Sequence, residues 1–213
     1  CGMRDDTNIQ SLAQLPIDYM GFIFYEKSKR HVDHLPYILL PPTIKKVGVF
    51  VDASETCILD KIQAGIEVVQ LHGQEPPALC KQLQESGVEV IKAFGIHSTV
   101  DWTKLADYQH AVDYFLFDTS DPEHGGTGRA FDWNQLKEYQ LPVPYFLSGG
   151  LSLENLPAVL QLADQRLVGV DLNSKFETAP ALKDINQIKK ALKIINQSAS
   201  HKINLCWRIS MRS

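Results

Sequence analysis

Several features that mark specialised classes of protein are missing from this sequence of 213 residues. It has no excess of positive charge, with a formal net charge of −4, so a nucleic-acid or polyanionic partner is not indicated. No apolar run approaches the length needed to cross a bilayer, and no signal-peptide pattern opens the chain. We therefore expect a cytoplasmic globular protein without a nucleic-acid or membrane partner.

Metal-binding and dinucleotide-binding patterns are missing as well. The four cysteines, Cys1, Cys57, Cys80 and Cys206, show no CxxC spacing, which argues against zinc and against a disulfide-stapled secreted fold. No GxGxxG motif follows the first strand-like segments, which weakens a dinucleotide-binding fold. With 44% hydrophobic and 22% charged residues, the chain is typical of one large globular domain.

What the sequence does contain is a regular alternation of short apolar segments and helix-like patterns, at a period of roughly 20–30 residues. Repeated βα units build a parallel sheet covered by helices, either a doubly wound open sheet or a (β/α)8 barrel. We favour the barrel, with residues 1–198 as one domain and 199–213 as a tail to which no function is assigned. The predicted strands are Tyr19–Tyr25, Val47–Val51, Ile66–Leu71, Val88–Phe94, Tyr114–Phe117, Tyr145–Leu147 and Leu167–Leu172.

The first residues, Cys1–Arg4 (CGMR), are typical of the tip of a strand and its loop. We therefore expect a barrel that lacks most of its first strand. The predicted helix boundaries include an N-cap at Asp6 or Thr7, a stop at Pro16, a helix over Thr99–Tyr108 and a helix N-terminus directly after Gly150.

One stretch, Tyr114–Trp133, combines a buried strand, an acid and a glycine-rich loop. The apolar strand leads into Asp118, and an apolar environment raises the pKa of a carboxyl group and equips it to donate a proton. The usual alternative for a loop aspartate is a helix cap or an ion pair. The loop that follows contains Gly125, Gly126 and Gly128, and we interpret it as a pliable flap over the site.

The active site of a parallel barrel lies at the C-terminal ends of its strands, so the residues that end the predicted strands are candidates. Cys1 is either a reactive thiol or a small core residue. Arg30 is either a solvated charge in a basic run or a bidentate ligand for a carboxylate. His72 is either a structural histidine or a contact in the site. Further residues at strand ends are Asp52, Gln70, Lys92 and Asp171.

Two loops near the end of the chain predict a phosphate site. Gly149 and Gly150 precede a predicted helix, whose bare N–H groups and dipole favour an anion. Asn173 and Ser174 supply a second polar loop after the next strand. Phosphate sites in barrels often form from the loops after the last two strands, which favours this interpretation over a simple tight turn at the two glycines.

These motifs, taken in order, resemble those of the phosphoribosylanthranilate isomerases over nearly all of residues 1–196. The resemblance implies a (β/α)8 barrel that converts N-(5-phosphoribosyl)anthranilate to 1-(2-carboxyphenylamino)-1-deoxyribulose 5-phosphate in tryptophan biosynthesis. It implies no cofactor, no metal, a small phosphorylated substrate and a monomer or homodimer. The matching segments are CGMR, GFIFYEKSKR, VGVFV, VQLHGQE, FLFDTSDPEHGGTGRAFDW, LSGGL and VDLNSKFE.

The resemblance also implies roles for individual residues. Asp118 would be the general acid that protonates the furanose ring oxygen, and Cys1 the general base that removes the C2 proton. Arg30 would hold the anthranilate carboxylate and Asp171 a sugar hydroxyl. His72 is a further candidate substrate contact on the ground of its position at a strand end. The phosphate would lie at the loops formed by Gly149, Gly150, Asn173 and Ser174.

One residue departs from the family pattern, and two other functions stay open. Lys175 stands where the family usually has a glycine after a serine pair, so we expect the phosphate loop to differ locally. The first alternative is another phosphosugar barrel enzyme of the epimerase or aldolase type, for which Lys92 would be a Schiff-base lysine. The second is a truncated barrel that binds a phosphosugar without turnover.

Overall fold

The computed structural model describes residues 1–96, 101–119 and 133–198. Within these ranges, seven parallel strands form one sheet in which each strand pairs with the next one along the chain. A doubly wound sheet would reverse the strand order at a switch point, so the unbroken order confirms the barrel architecture. The strands are β1 (Tyr19–Ile23), β2 (Lys45–Phe50), β3 (Val68–Leu71), β4 (Glu89–Gly95), β5 (Tyr114–Asp118), β6 (Tyr145–Ser148) and β7 (Leu167–Val170).

Apolar side chains cover both faces of this sheet, as the strand sequences predict. Ile91, Leu116 and Phe146 pack together on the inner face, in the barrel interior. Phe115 and other residues that alternate with them belong to the larger cluster beneath the helices. Because side chains alternate along a strand, Asp118 shares the inward face of Leu116 and lies at the C-terminal rim.

The helices cover the outer face of the sheet. The Asp5 carboxylate caps the first helix by accepting a hydrogen bond from the main-chain N–H of Asn8 at 2.7 Å. None of the helices in the described part of the chain is long and apolar enough to cross a bilayer. They are α1 (Asp6–Leu12), α2 (Glu55–Gln63), α3 (Pro77–Glu85), α4 (Leu156–Leu160) and α5 (Ile185–Ser198), with 3₁₀ helices at Trp102–Tyr108, Trp133–Glu138 and Ser174–Phe176.

The first three residues run between the two outermost strands. The N–H of Met3 donates to the carbonyl of Gly21 in β1 at 2.9 Å. The main-chain nitrogen of Cys1 lies 3.1 Å from Asp171 Oδ1, just beyond β7. The rim is therefore continuous from β7 through Cys1 to β1, so the first residue of the chain faces the same central space as the strand ends.

Two predicted helix starts were wrong, and a third predicted helix is of a different type. The cap of α1 is Asp5 rather than Asp6 or Thr7, because its carboxylate reaches Asn8. The segment predicted as a helix up to Tyr108 is a 3₁₀ helix that begins at Trp102, and the start predicted at residue 99 lies outside the described residues.

The second wrong helix start is at α4, which begins at Leu156 rather than directly after Gly150. The intervening turn is held by Asn155, whose side chain accepts from Ser152 N at 2.8 Å and donates to Gly150 O at 3.0 Å. A short antiparallel hairpin, β8 (Glu177–Ala179) and β9 (Leu182–Lys183), was not predicted. The predicted flap at Gly125–Gly128 and the tail at 199–213 lie outside the described residues.

Candidate active site

Asp118 meets His72 at the rim, on the inner side of the barrel. Asp118 ends β5, and His72 follows β3, where its N–H donates to the carbonyl of Phe50 at 2.8 Å. His72 Nε2 lies 3.4 Å from Asp118 Oδ2, and the other ring nitrogen lies 3.2 Å from Gln70 Nε2. The predicted site residues His72 and Asp118 therefore contact each other directly. The side chain of Gln70, in β3, orients the imidazole of His72.

A buried ion pair supports the turn that carries His72. Lys92 Nζ donates to the carbonyls on either side of His72, Leu71 O at 3.2 Å and Gly73 O at 2.7 Å, and lies 3.1 Å from Glu75 Oε2. The Glu75 carboxylate accepts in turn from the N–H groups of Asp52 and Gly73, each at 2.9 Å. The main chain of this turn is thus held in place by hydrogen bonds to the charged side chains of Lys92 and Glu75.

The position of Lys92 also bears on the aldolase alternative. Its neighbours Ile91 and Ala93 face the barrel interior, whereas Lys92 points outward and is 1% exposed. A Schiff-base lysine must reach the substrate in the central space with its amine. The structure therefore gives the aldolase interpretation no support.

Cys1 lies across the rim from Asp118. It fits against Gly21 so closely that a Cβ atom built on Gly21 would lie 2.6 Å from the Cys1 sulfur. Its main chain contacts the Asp171 carboxylate, which places both predicted site residues at the junction of β1 and β7. Two strands, β6 and β7, separate this junction from Asp118 on β5. The predicted acid and base therefore face the central space from different sides.

Arg30 is held in an ion pair that sequence reasoning missed. Its Nε lies 2.9 and 3.0 Å from the two carboxylate oxygens of Glu177, and its Nη2 lies 2.5 Å from Glu177 Oε2. Arg30 also packs over Gly2, where a Cβ atom would lie 2.5 Å from Arg30 Cδ and the backbone has a φ of +72°. The glycine of the CGMR motif therefore leaves room for the arginine stem.

The two predicted phosphate loops lie side by side, because β6 and β7 pair with each other. Gly149 and Gly150 adopt φ values of 88° and 60°, in the left-handed region that glycine favours. The Thr119 hydroxyl lies 2.7 Å from the Gly149 carbonyl and steadies this turn. Since α4 begins at Leu156, six residues after Gly150, the N–H groups available to an anion here belong to the loop rather than to a helix N-terminus.

The second loop, at Asn173 and Ser174, is held by a hydrogen bond from the hairpin. Asn173 Oδ1 accepts a hydrogen bond from Lys183 Nζ at 2.8 Å, and Ser174 opens the short 3₁₀ helix that follows. Lys175 is exposed, so the departure from the family pattern places its side chain at the surface of this loop.

Glu177 and Lys183 are the polar residues at this end of the site that sequence reasoning did not identify. The VDLNSKFE motif already contained Glu177, but a glutamate at the end of a loop motif usually indicates only a solvated charge. Lys183 gave no signal, because its pairing depends on a hairpin whose strands contain three and two residues.

Comparisons with known proteins agree with the motifs and the geometry. The family model described as N-(5'-phosphoribosyl)anthranilate (PRA) isomerase matches residues 1–194. The N-(5'-phosphoribosyl)anthranilate isomerase of Phocaeicola vulgatus is 44% identical over 200 residues, covering 90% of this chain and 97% of that protein. The Thermotoga maritima isomerase is 35% identical over 199 residues, covering 91% and 95%.

Solved structures show the same fold. The crystal structure of the Thermotoga maritima isomerase superposes with a TM-score of 0.80 at 33% identity, covering 92% of this chain and 97% of that one. A second isomerase structure, a complex with reduced 1-(o-carboxyphenylamino)-1-deoxyribulose 5-phosphate, gives a TM-score of 0.78 at 31% identity, covering 92% and 96%. The chain therefore belongs to the phosphoribosylanthranilate isomerases, a family of enzymes of tryptophan biosynthesis.

Proposed function

We propose that Asp118 and Cys1 are the general acid and the general base of this isomerase. The reaction is the Amadori rearrangement of N-(5'-phosphoribosyl)anthranilate to 1-(2-carboxyphenylamino)-1-deoxyribulose 5-phosphate. The observation that carries the proposal is the placement of both side chains at one rim, facing the central space from different strands. A substrate between them would meet an acid on one side and a base on the other.

The chemistry divides into two proton transfers. Asp118 gives a proton to the furanose ring oxygen, the bond between C1 and that oxygen breaks, and the nitrogen lone pair forms the imine. The imine nitrogen still carries its hydrogen, so the species is a positively charged iminium. Cys1, as the thiolate, then removes the proton from C2, and the electron pair of the C–H bond neutralises the iminium to an enolamine. Tautomerisation gives the ketone. Atoms balance without a cofactor, because the product is an isomer of the substrate.

The remaining predicted residues fit binding roles. Arg30 presents a guanidinium for the anthranilate carboxylate, and Asp171 lies beside Cys1, where a sugar hydroxyl would accompany C2. His72 is a further substrate contact, and its ring nitrogen lies 3.4 Å from Asp118 at the same rim. The loops at Gly149–Gly150 and Asn173–Ser174 supply main-chain N–H groups for the phosphate.

The partner of this chain is a small phosphorylated substrate, and the chain acts as a monomer or homodimer. One solved structure shows monomers generated from the dimeric Thermotoga maritima enzyme, with a TM-score of 0.75 at 30% identity. That relative folds in the monomeric form, which supports a site built within one chain. The location in the cytoplasm stays a prediction.

Replacement of the two proposed proton carriers tests these roles. Asp118→Asn and Cys1→Ser should each lower kcat by about 10²- to 10⁴-fold, the usual contribution of a positioned acid or base. Affinity for reduced 1-(o-carboxyphenylamino)-1-deoxyribulose 5-phosphate should hold within about threefold, because neither residue is proposed to carry the binding energy. Turnover is followed by the fluorescence of freshly made phosphoribosylanthranilate.

The matched control is Cys57→Ser, a cysteine-to-serine change on α2 away from the rim. It should leave kcat unchanged. Near-parent turnover of Asp118→Asn or of Cys1→Ser would refute the assigned role. The alternative is a barrel that binds a phosphosugar without turnover. It would be supported if the parent chain binds the reduced product but converts the substrate no faster than the uncatalysed background.

A further inference from the structure

The side-on edge of the Arg30 guanidinium is fully used by Glu177. Two of its nitrogens, Nε and Nη2, donate to both carboxylate oxygens at 2.5 to 3.0 Å. This bidentate arrangement fixes the plane of the guanidinium as well as its position. In the described part of the chain, Nη1 makes no hydrogen bond, so the end-on edge remains available for a second carboxylate.

Glu177 is itself held rigidly. Its side chain is 4% exposed, and its Oε1 accepts from Lys183 Nζ at 2.5 Å and from the N–H of Ala181 at 3.2 Å. Burial acts to raise the pKa of Glu177, but the hydrogen bonds and charges of Arg30 and Lys183 outweigh it and lower that pKa to about 2. The carboxylate is therefore ionised throughout the physiological pH range.

Lys183 is in turn fixed from two directions. Its side chain donates to Asn173 Oδ1 at 2.8 Å, and it is 1% exposed. Its main chain exchanges two hydrogen bonds of 2.8 Å with the side-chain amide of Asn8 on α1. A continuous series of buried contacts thus runs from the first helix through the hairpin to the guanidinium.

We propose that Glu177, braced by Lys183, is a positioning residue that holds Arg30 in the orientation needed to bind the substrate carboxylate. The inference rests on the proposed role of Arg30 as the carboxylate ligand. An arginine side chain loses several rotatable bonds of freedom when it binds a ligand, and the ion pair removes that freedom before the substrate arrives. Glu177 contributes to affinity without touching the substrate.

The test compares Glu177→Gln with the parent enzyme. The glutamine keeps the shape and one acceptor, but it loses the charge and the second oxygen of the fork. We expect KM for phosphoribosylanthranilate to rise by about 5- to 10-fold, with kcat within about twofold. The size of the effect corresponds to the cost of immobilising one side chain, that of Arg30, when the substrate binds. Glu89→Gln is the control, because Glu89 pairs with Lys45 at 2.6 Å at the start of β4, away from the rim. Its KM should not change.

A double-mutant cycle shows whether Glu177 acts through Arg30. In an Arg30→Ala background, Glu177→Gln should change KM by less than about twofold, because the guanidinium that it positions is gone. Equal effects in both backgrounds, or a loss confined to kcat, would overturn the proposal. If Glu177→Gln does not fold, Glu177→Asp replaces it in the cycle, since aspartate keeps the charge and retracts the fork by one methylene.

A pair of ligands separates this inference from the function that it rests on. The reduced product is compared with its analogue that lacks the aryl carboxylate. Glu177→Gln should weaken the first by about 5- to 10-fold and leave the second unchanged. If Arg30→Ala fails to discriminate between the two ligands, the assigned role of Arg30 is wrong. If Arg30→Ala discriminates and Glu177→Gln does not, only the positioning role is wrong.

Discussion

Gly21→Ala is the substitution for which the structure gives the sharpest expectation. Gly21 lies in β1, and a Cβ atom there would be 2.6 Å from the Cys1 sulfur and 3.0 Å from the Cys1 Cα. Ordinary contacts between non-bonded heavy atoms are about 3.5–4.0 Å, so Cys1 must move by about 1 Å. Both its side chain and its backbone are involved, so a rotamer change cannot relieve the contact.

A displacement of about 1 Å at a reacting group costs on the order of 10²-fold in rate, or about 2.7 kcal/mol in the activation free energy. We therefore expect Gly21→Ala to lower kcat by about this factor. The fluorescence assay with phosphoribosylanthranilate measures kcat, and titration with the reduced product measures affinity. The affinity should change much less than the rate, because the three atoms nearest to the added methyl group all belong to Cys1 and none to Arg30 or the phosphate loops.

The matched control is Gly48→Ala in β2. A Cβ atom at Gly48 would lie 2.8 Å from Phe50 Cε2 and 3.2 Å from Ile66 Cγ2, so the crowding is similar but involves the outer cluster. This variant should lose about 1–3 kcal/mol of stability, measured by urea denaturation, with kcat unchanged. If Gly21→Ala keeps the parent kcat, or if Gly48→Ala loses turnover to the same extent, the placement of Cys1 does not control the chemistry.

Two further predictions concern stability. Lys92→Met should lower the free energy of unfolding by about 3–5 kcal/mol, because it leaves the Glu75 charge buried without its partner. The control Lys81→Met, at an exposed ion pair, should cost less than about 0.5 kcal/mol. Equal urea midpoints for the two variants would contradict the prediction for Lys92. Burial raises the pKa of Asp18 from 3.8 to about 6, so the folded state binds its proton more tightly and stability falls as the pH rises through that range. Asp18→Asn should therefore stabilise the protein by about 1 kcal/mol at pH 8, after allowance for solvent screening, and have little effect at pH 4. The control is Asp33→Asn, at an exposed aspartate. An equal effect of Asp18→Asn at both pH values, or the same effect in Asp33→Asn, would refute the reasoning.

Much of the fold was predictable because each strand is a short and largely apolar segment. All seven predicted strands are present, and five of them begin or end at the predicted residue. The helices were harder, because their ends depend on single side chains. The cap at Asp5 and the turn held by Asn155 shift helix starts without changing the apolar pattern.

The candidate site was predictable where a residue type at a strand end already indicates chemistry. Asp118, His72 and Cys1 lie at the rim as their positions along the repeat predicted. The partners that hold them were not predictable from local sequence. Glu177 lies 147 residues from Arg30 along the chain, and Asn8 lies 175 residues from Lys183. Only the closed fold brings such residues together.

Two buried ion pairs support the site, although charges are costly to bury. A buried ion pair contributes little net stability, since desolvation offsets much of the attraction. Yet the Lys92–Glu75 pair lies under the turn of His72, and the Glu177–Lys183 pair lies behind Arg30. Apolar residues could fill the same space, but they would not orient a carbonyl or a guanidinium. We infer that the geometry of the rim, rather than the stability of the barrel, is what these pairs provide.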